Sequence, residues 1–118
     1  MADLFRVRKE PSANVIEMLL PEHLDSTEFD RLNEALLGLF DHADTAPKGW
    51  VIDFSAVRYI GSAMLGLMVN FRQHVKNHKG KLVLCGVSPR LEEIIRTCCM
   101  DRLFPIVKSR QEAVRAVE

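Results

Sequence analysis

Very little in this chain argues for chemistry performed by its own side chains. Cysteine occurs only at Cys85, Cys98 and Cys99, one adjacent pair and no C-x-x-C spacing. An odd count so arranged is a poor disulfide framework and offers neither a zinc ribbon nor a dithiol redox centre. The three read as small buried hydrophobes in a reducing compartment. Neither sign of charge is in excess, with Lys plus Arg at 16 and Asp plus Glu at 16. Without a basic field, nucleic acid and anionic membranes are poor partners. Apolar runs are too short to span a bilayer, and the start MADLFRVRKE has charges where a signal peptide needs an apolar stretch. A cytoplasmic protein is expected. There is no Walker loop, no nucleophile elbow, no Gly-x-Gly-x-x-Gly and no internal repeat. His74 and His78 stand four apart, a metal-compatible spacing, but Lys76 and Lys79 flank them and would oppose a cation. They read as exposed histidines, and no metal or cofactor is expected.

What is present is a core. Hydrophobic residues make up 47% of 118 residues, which suits one domain, expected over residues 2–118. LFRVRK (Leu4–Lys9) alternates and VIEMLL (Val15–Leu20) is apolar, with a turn at Pro11-Ser12-Ala13-Asn14 between them: a hairpin, ended by Pro21. Asp25 precedes Phe29, Leu32, Leu36, Leu39 and Phe40 at helical spacing, and Glu28 completes a capping box. A helix is predicted from about Ser26 to about His42, then a loop over Ala43–Gly49. Trp50–Phe54 is nearly all apolar, as in a parallel strand covered on both faces. A helix from Ser62 to about Asn77 follows, with Gly80 as its stop signal. Leu82–Val87 reads as a strand, Ser88-Pro89 as the start of a helix with Leu91, Ile94, Ile95 and Cys98 on its apolar stripe, and Leu103–Val107 as a last strand whose Pro105 suggests an edge. Ser109 caps a terminal helix. The order β-β-α-β-α-β-α-β-α implies a single α/β domain, an open, mostly parallel sheet with one antiparallel N-terminal strand.

The junction VIDFSAVRYIGSAMLG (Val51–Gly66) is the most informative segment. Ser62 stands where the helix begins, as its N-cap, with Gly61 supplying a flexible or left-handed turn. Unpaired N–H groups and the positive end of the macrodipole favour anionic chemistry there. At about 100° per residue, Met64, Leu67, Met68, Phe71 and Val75 cluster towards the sheet. Leu65 and Val69 fall off that stripe on the side of Ser62 and Gly66, as an apolar flank open to a partner or packed on a neighbouring helix. Asp53 reads as a hydrogen-bonding residue for the loop after its strand.

These residues resemble the STAS domain family, the bacterial anti-sigma factor antagonists and their relatives. The resemblance is carried by Leu24-Asp25, Val51-Ile52-Asp53-Phe54-Ser55, Leu65-Gly66, the Lys79–Leu82 turn into LVLCGVSPRLEEII, and LFPIV. It implies a non-enzymatic, partner-binding module. In that family the junction reads Asp-Ser-Ser/Thr-Gly-Leu-Gly, and the serine after the aspartate is phosphorylated by a kinase that doubles as the anti-sigma factor. That serine falls on Ser62. The implied partner surface is Gly61, Ser62, Ala63, Leu65, Gly66, Val69 and Asp25, on a monomer or weak homodimer. This chain has Gly61 for the family's aspartate, Ala63 for its second Ser or Thr, and Met64 for its glycine. Those departures keep open a second reading, a STAS scaffold whose serine is never modified. A receiver domain shares the layout and could use Asp53 and Lys108, but no acidic pair for magnesium follows the first strand.

Overall fold

The computed structural model describes residues 4–21, 23–42 and 49–118. The connection expected over Ala43–Gly49 lies, apart from Gly49, outside the described residues, as do residues 2 and 3 of the expected domain span.

Alternation decides the first strand pair. In β1 (Phe5–Lys9), Phe5 and Val7 are half-buried while Arg6, Arg8 and Lys9 are exposed. It pairs antiparallel with β2 (Ala13–Met18), Phe5 opposite Met18 and Lys9 opposite Asn14. The turn is therefore shorter than expected: Ala13 and Asn14 already belong to β2. β3 (Gly49–Asp53), β4 (Lys81–Cys85) and β5 (Ile106–Val107) continue the sheet in parallel, in the order β1-β2-β3-β4-β5. The expected class and the single antiparallel strand are both found.

Two boundaries differ from expectation for backbone reasons. β4 stops at Cys85 rather than Val87 because Gly86 takes φ +66° and turns the chain off the ladder. β5 has two residues rather than the five of LFPIV, because Pro105 brings no N–H to an edge ladder. Its carbonyl still accepts from Leu84 N–H at 2.8 Å.

Helices α1 (Ser26–Gly38), α2 (Ser62–Asn77) and α3 (Pro89–Thr97) join the parallel strands and share one buried cluster with Ile16, Met18, Ile52, Phe54, Leu82 and Leu84. A 3-10 turn, Leu39–His42, replaces the last part of the helix expected to reach His42. It puts Phe40 against Trp50 at 4.9 Å and Phe71 at 5.3 Å between ring centroids. All five residues assigned to the sheet-facing stripe of α2 are buried, each a gain of about 1.5–3 kcal/mol. The opposite face of the sheet presents Ala13, Val15, Val51, Val83 and Cys85 to α4 (Arg110–Ala116) through Ala113 and Val117. Ser88 and Ser109 cap α3 and α4 as expected, their Oγ atoms accepting from Leu91 N–H and Glu112 N–H at 3.1 Å each.

Helix ends hold the remaining corrections. α2 closes with Gly80 N–H on Val75 O and Lys79 N–H on Lys76 O, both 2.9 Å, and Lys79 takes the left-handed conformation (φ 59°) that the stop signal assigns to Gly80. α3 closes the same way, with Met100 N–H on Ile95 O and Cys99 at φ 58°. Cys98 thus caps the helix and is exposed, as is Cys99, so only Cys85 is the buried hydrophobe expected of all three. Both left-handed positions are occupied by residues with a Cβ. Lys79→Gly and Cys99→Gly are each expected to raise stability by about 0.5–1 kcal/mol in chemical denaturation, an unchanged midpoint counting against the strain.

Candidate functional site

The carboxyl ends of β2 and β3 each lead into a helix start, and the two starts face one cleft. On the first side Asp25 caps α1: its Oδ1 accepts from Glu28 N–H at 2.7 Å, and Glu28 Oε1 accepts from Asp25 N–H at 3.3 Å. The predicted capping box is present. On the second side the cap is Gly61, not Ser62. Gly61 is extended (φ −90°, ψ 176°), not left-handed, and its carbonyl accepts from Leu65 N–H at 3.2 Å. Ser62 is consequently the first helical residue, and α2 begins with no side-chain cap and no acidic residue in its first turn. Its N-terminal N–H groups remain open to an anion.

Asp53 holds this junction in place. Its Oδ1 accepts from the Ser55 hydroxyl and from Ser55 N–H (2.8 Å), while Oδ2 accepts from Arg110 Nη2 (2.8 Å) and Nε (3.2 Å). Arg110 Nη2 also reaches Glu17 Oε1 at 3.1 Å, and Glu17 pairs with Arg8. The network thus ties β1, β2, β3 and the first turn of α4. Burial pushes the Asp53 carboxyl up, but hydrogen bonds from Ser55 and Arg110 outweigh it and hold the group below the usual carboxylate range. Glu17 shows the same balance, with Arg8 and Arg110 prevailing over burial. Asp53 therefore organises the loop after its strand, as its sequence position suggests. Cys85, beside Asp53 in register, has its thiol pushed up to about 12 by burial and then by the carboxylate, which leaves it unreactive.

The cleft, about 500 Å³, is lined by Leu20, Leu24, Phe29, Ile60 and Met64 as its apolar wall, with Asp25, Asp30, Tyr59, Gly61 and Ala63 among its other residues. It brings together Asp25, Gly61 and Ala63 from the expected partner surface. Gly61, Ser62, Ala63 and Gly66 are exposed, and Ser62 lies between two lining residues. Of the two readings of the apolar flank, an open face is ruled out for Leu65, which is 3% exposed within the buried cluster, while Val69 is half-buried against the same cluster. The core has claimed that flank. Met64 likewise turns inward.

Tyr59 was not singled out by the sequence pattern. It is 46% exposed, the large hydrophobic side chain that stands out among the described residues, with Arg90 Cζ 5.7 Å from its ring centroid. The available signal was that the chain's single tyrosine falls in the connection between β3 and α2. His74 and His78 stack on Phe40 at 5.6 and 5.0 Å, and no cluster of three potential metal ligands occurs among the described residues. No helix among them is long and apolar enough to cross a membrane.

The fold and sequence are shared with known proteins. A putative anti-sigma factor antagonist of Bordetella bronchiseptica, BtrV, is 29% identical over 73 residues, 62% of this chain and 63% of that protein. The chain thus aligns with less than two-thirds of that relative's length. An anti-sigma-factor antagonist (STAS) domain protein from Planctomyces limnophilus superposes with a TM-score of 0.79 at 27% identity, covering 96% of this chain and 97% of that one. The Bacillus cell-fate determinant SpoIIAA, solved in its phosphorylated form, shares the fold with a TM-score of 0.69 at 15% identity, over 97% and 99% of the two chains. The STAS domain model matches residues 6–113, and the chain belongs to the STAS domain family.

Proposed function

We propose that this chain is a non-catalytic anti-sigma factor antagonist, a cytoplasmic binding module switched by phosphorylation of Ser62. The observation that carries the reading is the position of Ser62: exposed, first in a sixteen-residue helix with no side-chain cap, at the rim of a cleft formed by two helix starts. The partner is an anti-sigma factor that is also a serine kinase, not nucleic acid or a membrane. Unmodified, the surface formed by Asp25, Gly61, Ser62, Ala63 and Gly66 docks on that partner; Leu65 and Val69 support it from beneath. A phosphate adds roughly 1.5–2 negative charges and a bound hydration shell that a docked partner cannot cover. The helix start accommodates the anion, so the fold persists while the contact is lost. A fold that persists around a phosphate has a parallel in the phosphorylated SpoIIAA structure.

Ser62→Ala should bind the partner kinase as the parent does, and Ser62→Asp should bind it about tenfold less tightly in calorimetry. Equal affinities would end the reading. The second reading, a STAS scaffold with an unmodified serine, is favoured by Gly61 in place of the family's aspartate. A phosphate-sensitive gel of protein taken from its own cells separates the two: a single band under every growth condition supports the scaffold.

A further inference from the structure

The geometry points to the cleft between α1 and the β3–α2 connection as the seat for an apolar side chain of the partner protein flanked by a lysine or arginine, with Tyr59 as the anchor the partner covers. This rests on the proposed antagonist function and extends it to residues that the motif resemblance leaves out.

Tyr59 is a large side chain left half in water in a chain whose other described large hydrophobics are mostly covered. Tyrosine combines broad contact area with few rotatable bonds, which is why it recurs at the energetic centre of interfaces. Arg90, from the start of α3, stands over one face of the ring, so the anchor is partly pre-positioned before any partner arrives. Beside it the cleft has an apolar wall of Leu20, Leu24, Phe29, Ile60 and Met64. That wall fits an aliphatic or aromatic side chain.

Charge selects what accompanies it. Asp25 and Asp30, both exposed, line the cleft on the α1 side together with the exposed His23, so the two carboxylates are its formal charges at neutral pH. Asp25 caps α1 through Oδ1, and its other oxygen has no hydrogen-bond partner among the described residues. An apolar side chain beside a cation satisfies both walls at once; an acidic segment would meet two carboxylates at close range. Ser62 does not line the cleft, so a phosphate there acts at the rim by bulk and hydration rather than by filling the seat.

The test is a protein-observed NMR titration of the full chain with two short amphipathic peptides of Leu and Ala, one carrying Lys and the other Glu on its polar face. The Lys peptide should perturb residues around 20–30 and 59–64 and bind at least about fivefold tighter than the Glu peptide, a preference that shrinks as salt is added. Tyr59→Ala should weaken the Lys peptide about tenfold and Tyr59→Phe should restore it. Asp25→Asn with Asp30→Asn should remove the preference while leaving α1 capped, since asparagine caps as well as aspartate. Equal binding of both peptides would overturn the preference for a basic partner and leave an apolar pocket alone. Shifts elsewhere, no binding, or an unaffected Tyr59→Ala would each overturn the inference. None of these outcomes bears on Ser62, whose phosphorylation by the partner kinase is read separately.

Discussion

Gly86→Ala should cost about 3 kcal/mol and lower the melting temperature by roughly 10 °C, more than its size suggests. Gly86 stands at φ +66°, where a residue with a Cβ pays roughly 1–2 kcal/mol. The added carbon would also stand 2.7 Å from Asp53 Oδ1 and 2.9 Å from Ser55 N, and closer still to the Ser55 hydroxyl. These are the atoms that hold the connection that bears Tyr59 and leads into Ser62. To admit a methyl group the Asp53–Ser55 hydrogen bonds must open, which adds to the strain. Gly66→Ala is the matched control with the opposite sign. Gly66 lies inside α2, and a methyl carbon added there would have nothing within 4 Å, so the change should stabilise by about 0.5–1 kcal/mol. Thermal melts of both proteins settle the point; a loss under about 2 °C for Gly86→Ala would mean that the junction is not fixed as described.

Asp53→Asn should cost about 2–3 kcal/mol at neutral pH, and most of that cost should vanish in acid. Breaking a buried pair by removing one charge costs roughly 3–5 kcal/mol; the lower figure applies because Arg110 is 35% exposed and keeps Glu17. The pH dependence follows from linkage. Asp53 is held below its ordinary value of 3.8, so its contribution is fully present above that pH and is lost as the pH falls through the folded-state value. Glu17, depressed from 4.5, loses its contribution in the same direction. The parent protein should therefore weaken below about pH 4 while Asp53→Asn weakens less, so the gap between the two denaturation midpoints should narrow as the pH falls below about 4. A gap of the same size at pH 7 and pH 3 would assign the effect to shape instead of charge.

The large features of the fold were legible because they depend on spacing within one segment. The stripe Met64, Leu67, Met68, Phe71, Val75 is buried as the wheel demands, and the capping box of Asp25 and Glu28 forms as written. What was not legible depends on contacts between segments or on backbone handedness. Open and packed readings of Leu65 stay undecided in the sequence because no local pattern shows that it joins the buried cluster. Cys98 read as part of an apolar stripe because nothing in the sequence shows that α3 stops one residue before it, with Cys99 left-handed. Ser62 and Gly61 exchanged roles by a single residue, a shift that leaves the hydroxyl exposed but removes it from capping. Tyr59 has no sequence signal of this kind, because exposure in a connection has no periodicity to announce it.

The proposal that the start of α2 is a switchable docking surface is tested most directly by titrating one purified partner kinase with the unmodified chain and with the chain phosphorylated at Ser62. Phosphorylation should weaken binding at least about tenfold while the far-UV spectrum stays the same. Equal affinity of the two forms, with the fold intact, would contradict it.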